Sequence, residues 1–132
     1  MEIVYKINAQ LCPDDVSRLF KSSGIKRPSD NLDRIQRMIT NANVIISAWD
    51  GVNLVGIARA ITDFSYCCYL SDLAVCKEYQ KTGIGKELVE RLRNHLGEEV
   101  ALLLLSAPTA MEYYPQLGFE KTEKAFLIPR TR

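Results

Sequence analysis

The chain has 132 residues, 47% of them hydrophobic and 25% charged, a composition that suits one domain over 1–132 built around one core. A formal charge of +1 without a long basic run argues against a broad nucleic-acid surface. No apolar run reaches the roughly 18 residues that a membrane span needs, and Met1-Glu2-Ile3 does not open a signal peptide.

The four cysteines, Cys12, Cys67, Cys68 and Cys76, include no CxxC pair, and the single histidine, His95, has no ligand partner at metal spacing. They read as reduced, small apolar residues in a cytoplasmic protein that needs no metal.

In chain order, Ile3, Val4, Tyr5, Lys6 and Ile7 make a first strand of apolar and β-prone residues. Pro13, Asp14 and Asp15 put a proline and two acids where a helix begins, with Val16, Leu19 and Phe20 on one face and Ser23-Gly24 as its end. After the basic loop Ile25-Lys26-Arg27-Pro28, either Ser29 or Asp30 can cap a second helix, in which Leu32, Ile35, Met38 and Ile39 recur at helical spacing. Three strands are predicted next, over residues 44–49, 54–61 and 66–75, with a hairpin signal at Asp50-Gly51. Their short connections predict an antiparallel meander. The following helix carries Ile84, Leu88, Val89, Leu92 and Leu96 on one stripe and stops at Gly97. The unbroken apolar run 101–105 reads as a central strand buried on both faces. A short helix over residues 108–114, ended near Pro115, and a last strand around residues 125–128 complete the chain.

One stretch organises the rest. Leu73-Ala74-Val75 ends a strand, and Gln80-Lys81-Thr82-Gly83-Ile84-Gly85-Lys86 runs through glycines into a helix. A helix start leaves backbone N–H groups unpaired at the positive end of the macrodipole. Glycines there let a phosphate approach those donors, so the loop is an anion cradle.

The loop matches the pattern Gln/Arg-x-x-Gly-x-Gly/Ala, and downstream an aromatic-Tyr pair stands four residues before Gly-Phe, in Tyr113-Tyr114-Pro115-Gln116-Leu117-Gly118-Phe119. With both motifs in this element order, the chain resembles the GNAT superfamily of acyl-CoA-dependent N-acyltransferases over nearly its whole length. The resemblance implies an α/β (α+β) fold: a mixed, mostly antiparallel sheet with a central, splayed parallel strand pair, flanked by about four helices. It implies acetyl-CoA as co-substrate. Gln80, Lys81, Thr82, Gly83, Ile84, Gly85 and Lys86 would then hold the pyrophosphate. Leu73 and Val75, with Ala74 between, would pair with the pantetheine amides as a strand edge does, and the Leu73 N–H would polarise the thioester carbonyl.

The implied reaction is direct attack of an amine on acetyl-CoA. An alkyl amine with a pKa of about 10.4 must first lose a proton, and the leaving thiolate must gain one. Tyr114 stands at the family's general-acid position. Asp72, the only carboxylate in the strand before the loop, is the candidate base; binding the substrate amine or acting through a water held by Tyr69 or Ser71 stays open beside that role. Strand alternation predicts Tyr69, Ser71 and Leu73 on one face and Asp72 on the other. Two positions depart from the family pattern: Ser71-Asp72 stands where polyamine-acetylating relatives tend to have Glu-Asp, and Ala107 where many have Asn, leaving that cofactor contact to Ser106 or main chain.

The acceptor expected from this is a primary amine of a small molecule. Lys26 and Arg27 would suit an anionic group on it, Asp63 and Asp72 a cationic one. A protein lysine or N-terminus as acceptor, and a non-catalytic acyl-CoA sensor, are the alternatives. No nucleic-acid or membrane partner is expected, and exposed apolar residues in the last strand leave a homodimer open.

Overall fold

In the computed structural model, which describes residues 2–132, the expected meander is the spine of a five-stranded sheet with strands in sequence order. The elements are β1 (Ile3–Ile7), α1 (Pro13–Ser23), α2 (Leu32–Asn41), β2 (Val44–Asp50), β3 (Asn53–Thr62), β4 (Cys67–Val75), α3 (Ile84–Leu96) and β5 (Ala101–Leu103). Strands β1 to β4 pair antiparallel, and β5 joins β4 in parallel.

Local chemistry accounts for the element ends. Pro13 opens α1 with Asp14 and Asp15 in its first turn, where acids meet the positive end of the helix, and Gly24 closes it in the left-handed conformation at φ 85°. The cap of α2 is Asn31, whose side chain accepts the Arg34 N–H at 3.0 Å. It is neither Ser29 nor Asp30. Ser29 is buried, its carbonyl accepting from the Ser17 hydroxyl, and Asp30 pairs with Lys21 at 2.7 Å.

Helix α3 covers one face of the sheet, with Leu88, Val89 and Leu92 packed against Ile46, Ala58, Ala60 and Leu70. Helices α1 and α2 cover the other, with Leu19, Phe20 and Ile35 against Ile45, Ile57 and Ala74. Phe20, Ile35, Ile57, Leu88 and Leu92 are sealed completely, and each such side chain stabilises the fold by roughly 1.5–3 kcal/mol relative to exposure. α3 lies close on β3 because of Gly56: a Cβ there would stand 3.1 Å from Ile84, 3.2 Å from Leu88 and 3.3 Å from Ala48.

Strand β4 contains an irregularity that sets up the site. Arg59 pairs with Asp72 but Ala60 pairs with Leu70, so Ser71 is an extra residue, a β-bulge. Leu70 and Leu73 consequently both belong to the α3 side, while Asp72 and Ala74 face α1 and α2. Unbroken alternation, which would put Tyr69 and Leu73 on one face, does not hold across the bulge. Pairing with β5 runs only over Cys67, Cys68 and Tyr69.

Beyond α3 the structure departs from the sequence reading. β5 is three residues long, lies at the edge of the sheet, and leaves Ala101 and Leu103 exposed. The helix expected over residues 108–114 is two 3-10 turns, Pro108–Ala110 and Tyr114–Leu117. Pro115, in the first turn of the second, lacks the N–H that a continuous α-helix would need. The segment expected as a last strand is irregular, with Phe126 and Ile128 almost fully exposed. β-prone residues form a strand only against a partner edge, and this segment has none among the described residues. Three helices, rather than about four, therefore flank the sheet among the described residues.

Candidate active site

The end of β4 offers an unpaired main-chain edge. The Cys76 N–H donates to the Val55 carbonyl at 2.8 Å, which fixes Cys76 toward β3. Alternation along the strand then points the polar groups of Ala74 toward β3 and those of Leu73 and Val75 the opposite way. β5 has already ended on that side. The Val75 carbonyl is taken by the Gln80 side chain, whose amide donates to it at 2.9 Å and to the Ser23 carbonyl at 3.3 Å. Gln80 thus ties the glycine loop to β4 and to the end of α1.

The loop turns through two left-handed residues, Lys81 at φ 66° and Gly83 at φ 91°, and Gly83 is the N-cap of α3. The N–H groups of Lys81, Thr82 and Gly83 donate to no protein acceptor among the described residues. Those of Ile84, Gly85 and Lys86 belong to the first helical turn, which has no intrahelical acceptor to offer them. The exposed side chains of Lys81 and Lys86 add positive charge beside these donors. This run of N–H groups at a helix start fits a pyrophosphate, and the edge at Leu73 and Val75 fits a chain of amides.

A pair of tyrosines adjoins the start of α3. The Tyr113 and Tyr114 rings meet edge-on at 5.3 Å, and Tyr114 meets Phe119 in the same way at 5.7 Å. The Tyr113 hydroxyl stands over Gly85, where an added Cβ would collide with it. Only a glycine leaves room for it. Burial pushes the Tyr113 phenol up. Burial also pushes the Tyr114 phenol above the ordinary 10.0; Tyr113 adds to the rise and the charge of Arg27 opposes it.

Asp72 is fully buried and held from both sides. Arg27 Nε donates to Oδ1 and Arg59 Nε to Oδ2, each at 2.5 Å. The same arginines grip the bulge: Arg27 Nη2 donates to the Ser71 carbonyl at 2.7 Å, and Arg59 Nη2 to the Ser71 hydroxyl at 2.9 Å. Arg59 Nη1 reaches the Met38 carbonyl at 3.3 Å, linking the cluster to α2. With both oxygens held by guanidinium groups and no exposed surface, the carboxylate presents no solvent-facing edge to an incoming amine. Arg59 was not singled out from sequence. A lone cation inside the apolar run Leu54-Val55-Gly56-Ile57-Ala58-Arg59-Ala60-Ile61 was the available signal, but its pairing with Asp72 depends on the bulge.

Asp63 and Tyr69 stand apart from this cluster. The Asp63 carboxylate accepts the N–H groups of Ser65, Tyr66 and Cys67, which hold its pKa down to about 2. Tyr69 is partly exposed. Among the described residues no three His, Cys, Asp or Glu side chains gather as a metal site, and no helix is long and apolar enough to cross a membrane.

The acetyltransferase (GNAT) domain profile matches residues 17–127. An uncharacterized N-acetyltransferase, ycf52, of Pyropia yezoensis is 29% identical over 114 residues, 81% of this chain, which spans 64% of that protein's length. A Staphylococcus aureus protein of unknown function, named a probable acetyltransferase, superposes with a TM-score of 0.80 at 22% identity, over 96% of this chain and all of its own. The aminoglycoside N-acetyltransferase AAC(6')-Iy, solved in complex with CoA, superposes with a TM-score of 0.73 at 16% identity, over 99% of this chain and 96% of its own. The two structural likenesses are likenesses of fold.

Proposed function

Because the chain belongs to the GNAT acetyltransferase domain family, we propose that it transfers an acetyl group from acetyl-CoA to a primary amine of a small molecule by direct attack. The observation that carries this reading is the juxtaposition of an unpaired β4 edge with the free N–H groups at the start of α3, with Tyr113 over Gly85 and the Tyr114 ring packed against it. A fold neighbour solved with CoA supports the same cofactor.

Each residue then has a task. The N–H groups of Lys81, Thr82, Gly83, Ile84, Gly85 and Lys86 receive the pyrophosphate, with Gln80 bracing the loop. Leu73 and Val75 pair with the pantetheine amides, and Ala74 between them anchors the strand in the core. The Leu73 N–H polarises the carbonyl under attack. Acetyl-CoA, when bound, supplies the activated acyl group and a thiolate leaving group. Tyr114, its phenol kept protonated by burial, gives the proton that the departing sulfur needs. Asp72 positions Arg27 and Arg59 instead of accepting a proton; the ammonium of the acceptor loses one proton to water before attack, and the second proton, shed by the nitrogen as the amide forms, restores the Tyr114 phenol by way of solvent. The sealing of Asp72 also favours one second reading, a protein that binds acyl-CoA without turnover.

A thiol-release assay with acetyl-CoA decides between them, run against amino acids, diamines, aminoglycosides and peptides. Thiol release that requires both the protein and an amine is the expected result. Calorimetric binding of acetyl-CoA with no release for any amine overturns transfer and leaves the binding protein.

A further inference from the structure

The cluster beneath the α1–α2 loop holds one positive charge more than it neutralises. One carboxylate, Asp72, meets two guanidinium groups, Arg27 and Arg59, so the group carries a net charge of +1 (two minus one). Arg59 and Asp72 are sealed, with 9% and 0% of their side chains exposed, whereas Arg27 keeps 23%. The surplus therefore meets solvent at Arg27. A guanidinium has five N–H donors. Three from Arg27 are used: Nε–H to Asp72, one Nη1–H to the Lys26 carbonyl and one Nη2–H to the Ser71 carbonyl. One N–H is left on each terminal nitrogen.

These contacts also fix the head group in place. Arg27 is long and flexible, yet three hydrogen bonds hold it against the bulge, where the unpaired β4 edge begins. Its charge is felt at the Tyr114 phenol. An immobilised, partly exposed cation with two N–H donors that have no protein acceptor among the described residues, gripping the bulge at the Ser71 carbonyl, matches an anion of one charge and two oxygens.

We infer that Arg27 recognises a carboxylate on the acceptor, so that the preferred substrate is an amine that also bears a carboxylate rather than a diamine or polyamine. This rests on the acetyl-transfer reading. Asp72, the acid nearest Arg27, is neutralised by the two guanidinium groups and offers a polycation no free charge.

The test compares kcat/KM for ω-amino acids, their carboxamides and diamines of equal length, by thiol release with the wild-type protein. A charge-assisted pair is worth about tenfold or more, so the carboxylates should lead by at least that factor. In Arg27→Gln the ratio of carboxylate to carboxamide should fall to near one, and in Arg27→Lys it should be partly restored. Thermal unfolding of each variant shows that the change is not loss of fold. Diamines or carboxamides used as well as carboxylates by the wild type overturn the inference and leave acetyl transfer standing. If no amine releases thiol, calorimetric titration of the same amines into the CoA-saturated protein decides the binding question, and binding without carboxylate preference overturns the inference there too.

Discussion

Tyr114 and Asp72 are the two residues that sequence reasoning placed at the chemistry, and their surroundings differ sharply. Tyr114 lies half-buried between Tyr113 and Phe119, beside the slot. In the proposed reaction Tyr114→Phe removes the acid and little packing, so kcat should fall about 10²- to 10⁴-fold while acetyl-CoA affinity, read by calorimetry, stays close to wild type. The direction of the pKa shift sets the pH dependence. Burial raises the phenol, so the protonated acid persists past the ordinary value near 10. The wild-type kcat should show no loss of this acid below pH of about 10, and any alkaline limb above it should vanish in Tyr114→Phe. Asp72 has the opposite character. Asp72→Asn leaves the buried Arg59 and the partly buried Arg27 guanidinium groups facing a neutral amide, and urea denaturation should report a loss of about 3–5 kcal/mol. The place of Tyr114 in a short turn before Gly118-Phe119 was legible because its motif is local. The environment of Asp72 was not, because a lone acid in a strand gives no hint of which neighbouring strand supplies its partners.

At the scale of elements, periodicity carried the reading wherever an element has two distinct faces. α1, α2 and α3 and strands β1 to β4 lie within a residue or two of the spans that their apolar spacing predicts. The chain after α3 was harder. The run 101–105 is apolar throughout, and a uniform run says that a strand can be buried, not that other elements exist to bury it. Two prolines within eight residues, Pro108 and Pro115, break what otherwise reads as a helix into 3-10 turns. Close packing between elements gives two further tests. Gly56→Ala crowds Ile84 and Leu88 from α3 and Ala48 from β2 together, so it should destabilise by about 1–3 kcal/mol in urea denaturation. Gly85→Ala collides with the Tyr113 hydroxyl, but the next nearest atom of that ring is 3.5 Å away. Adding Tyr113→Phe should therefore recover most of the lost stability, a coupling that a double-mutant cycle measures directly.

The molecule as a whole is a sheet clamped between α3 and the α1–α2 pair, with the slot at the edge where β4 and β5 part. Its response to acid follows from the Asp63 turn. The folded-state pKa is depressed from 3.8 to about 2, so this turn contributes stability that is present above the free value and lost as pH falls through the folded one. Asp63→Ala should lower the melting temperature near neutral pH, and the difference from wild type should close as pH falls toward 2. A gap that persists undiminished at that pH would mean that the turn is held by something other than the charge.

The bulge at Ser71 has a consequence for how such a slot can arise. Residues on both sides of it keep their proper faces: Leu70 and Leu73 look toward α3, Asp72 and Ala74 toward α1 and α2. Without Ser71, plain alternation from Leu70 to Asp72 to Leu73 gives the same assignment. The core therefore does not depend on this residue, whereas the bend in the strand and two arginine contacts do. Gain or loss of a single codon is then nearly silent for packing yet changes the bend of β4 just before the open edge, which gives an antiparallel sheet a short evolutionary path to a cleft.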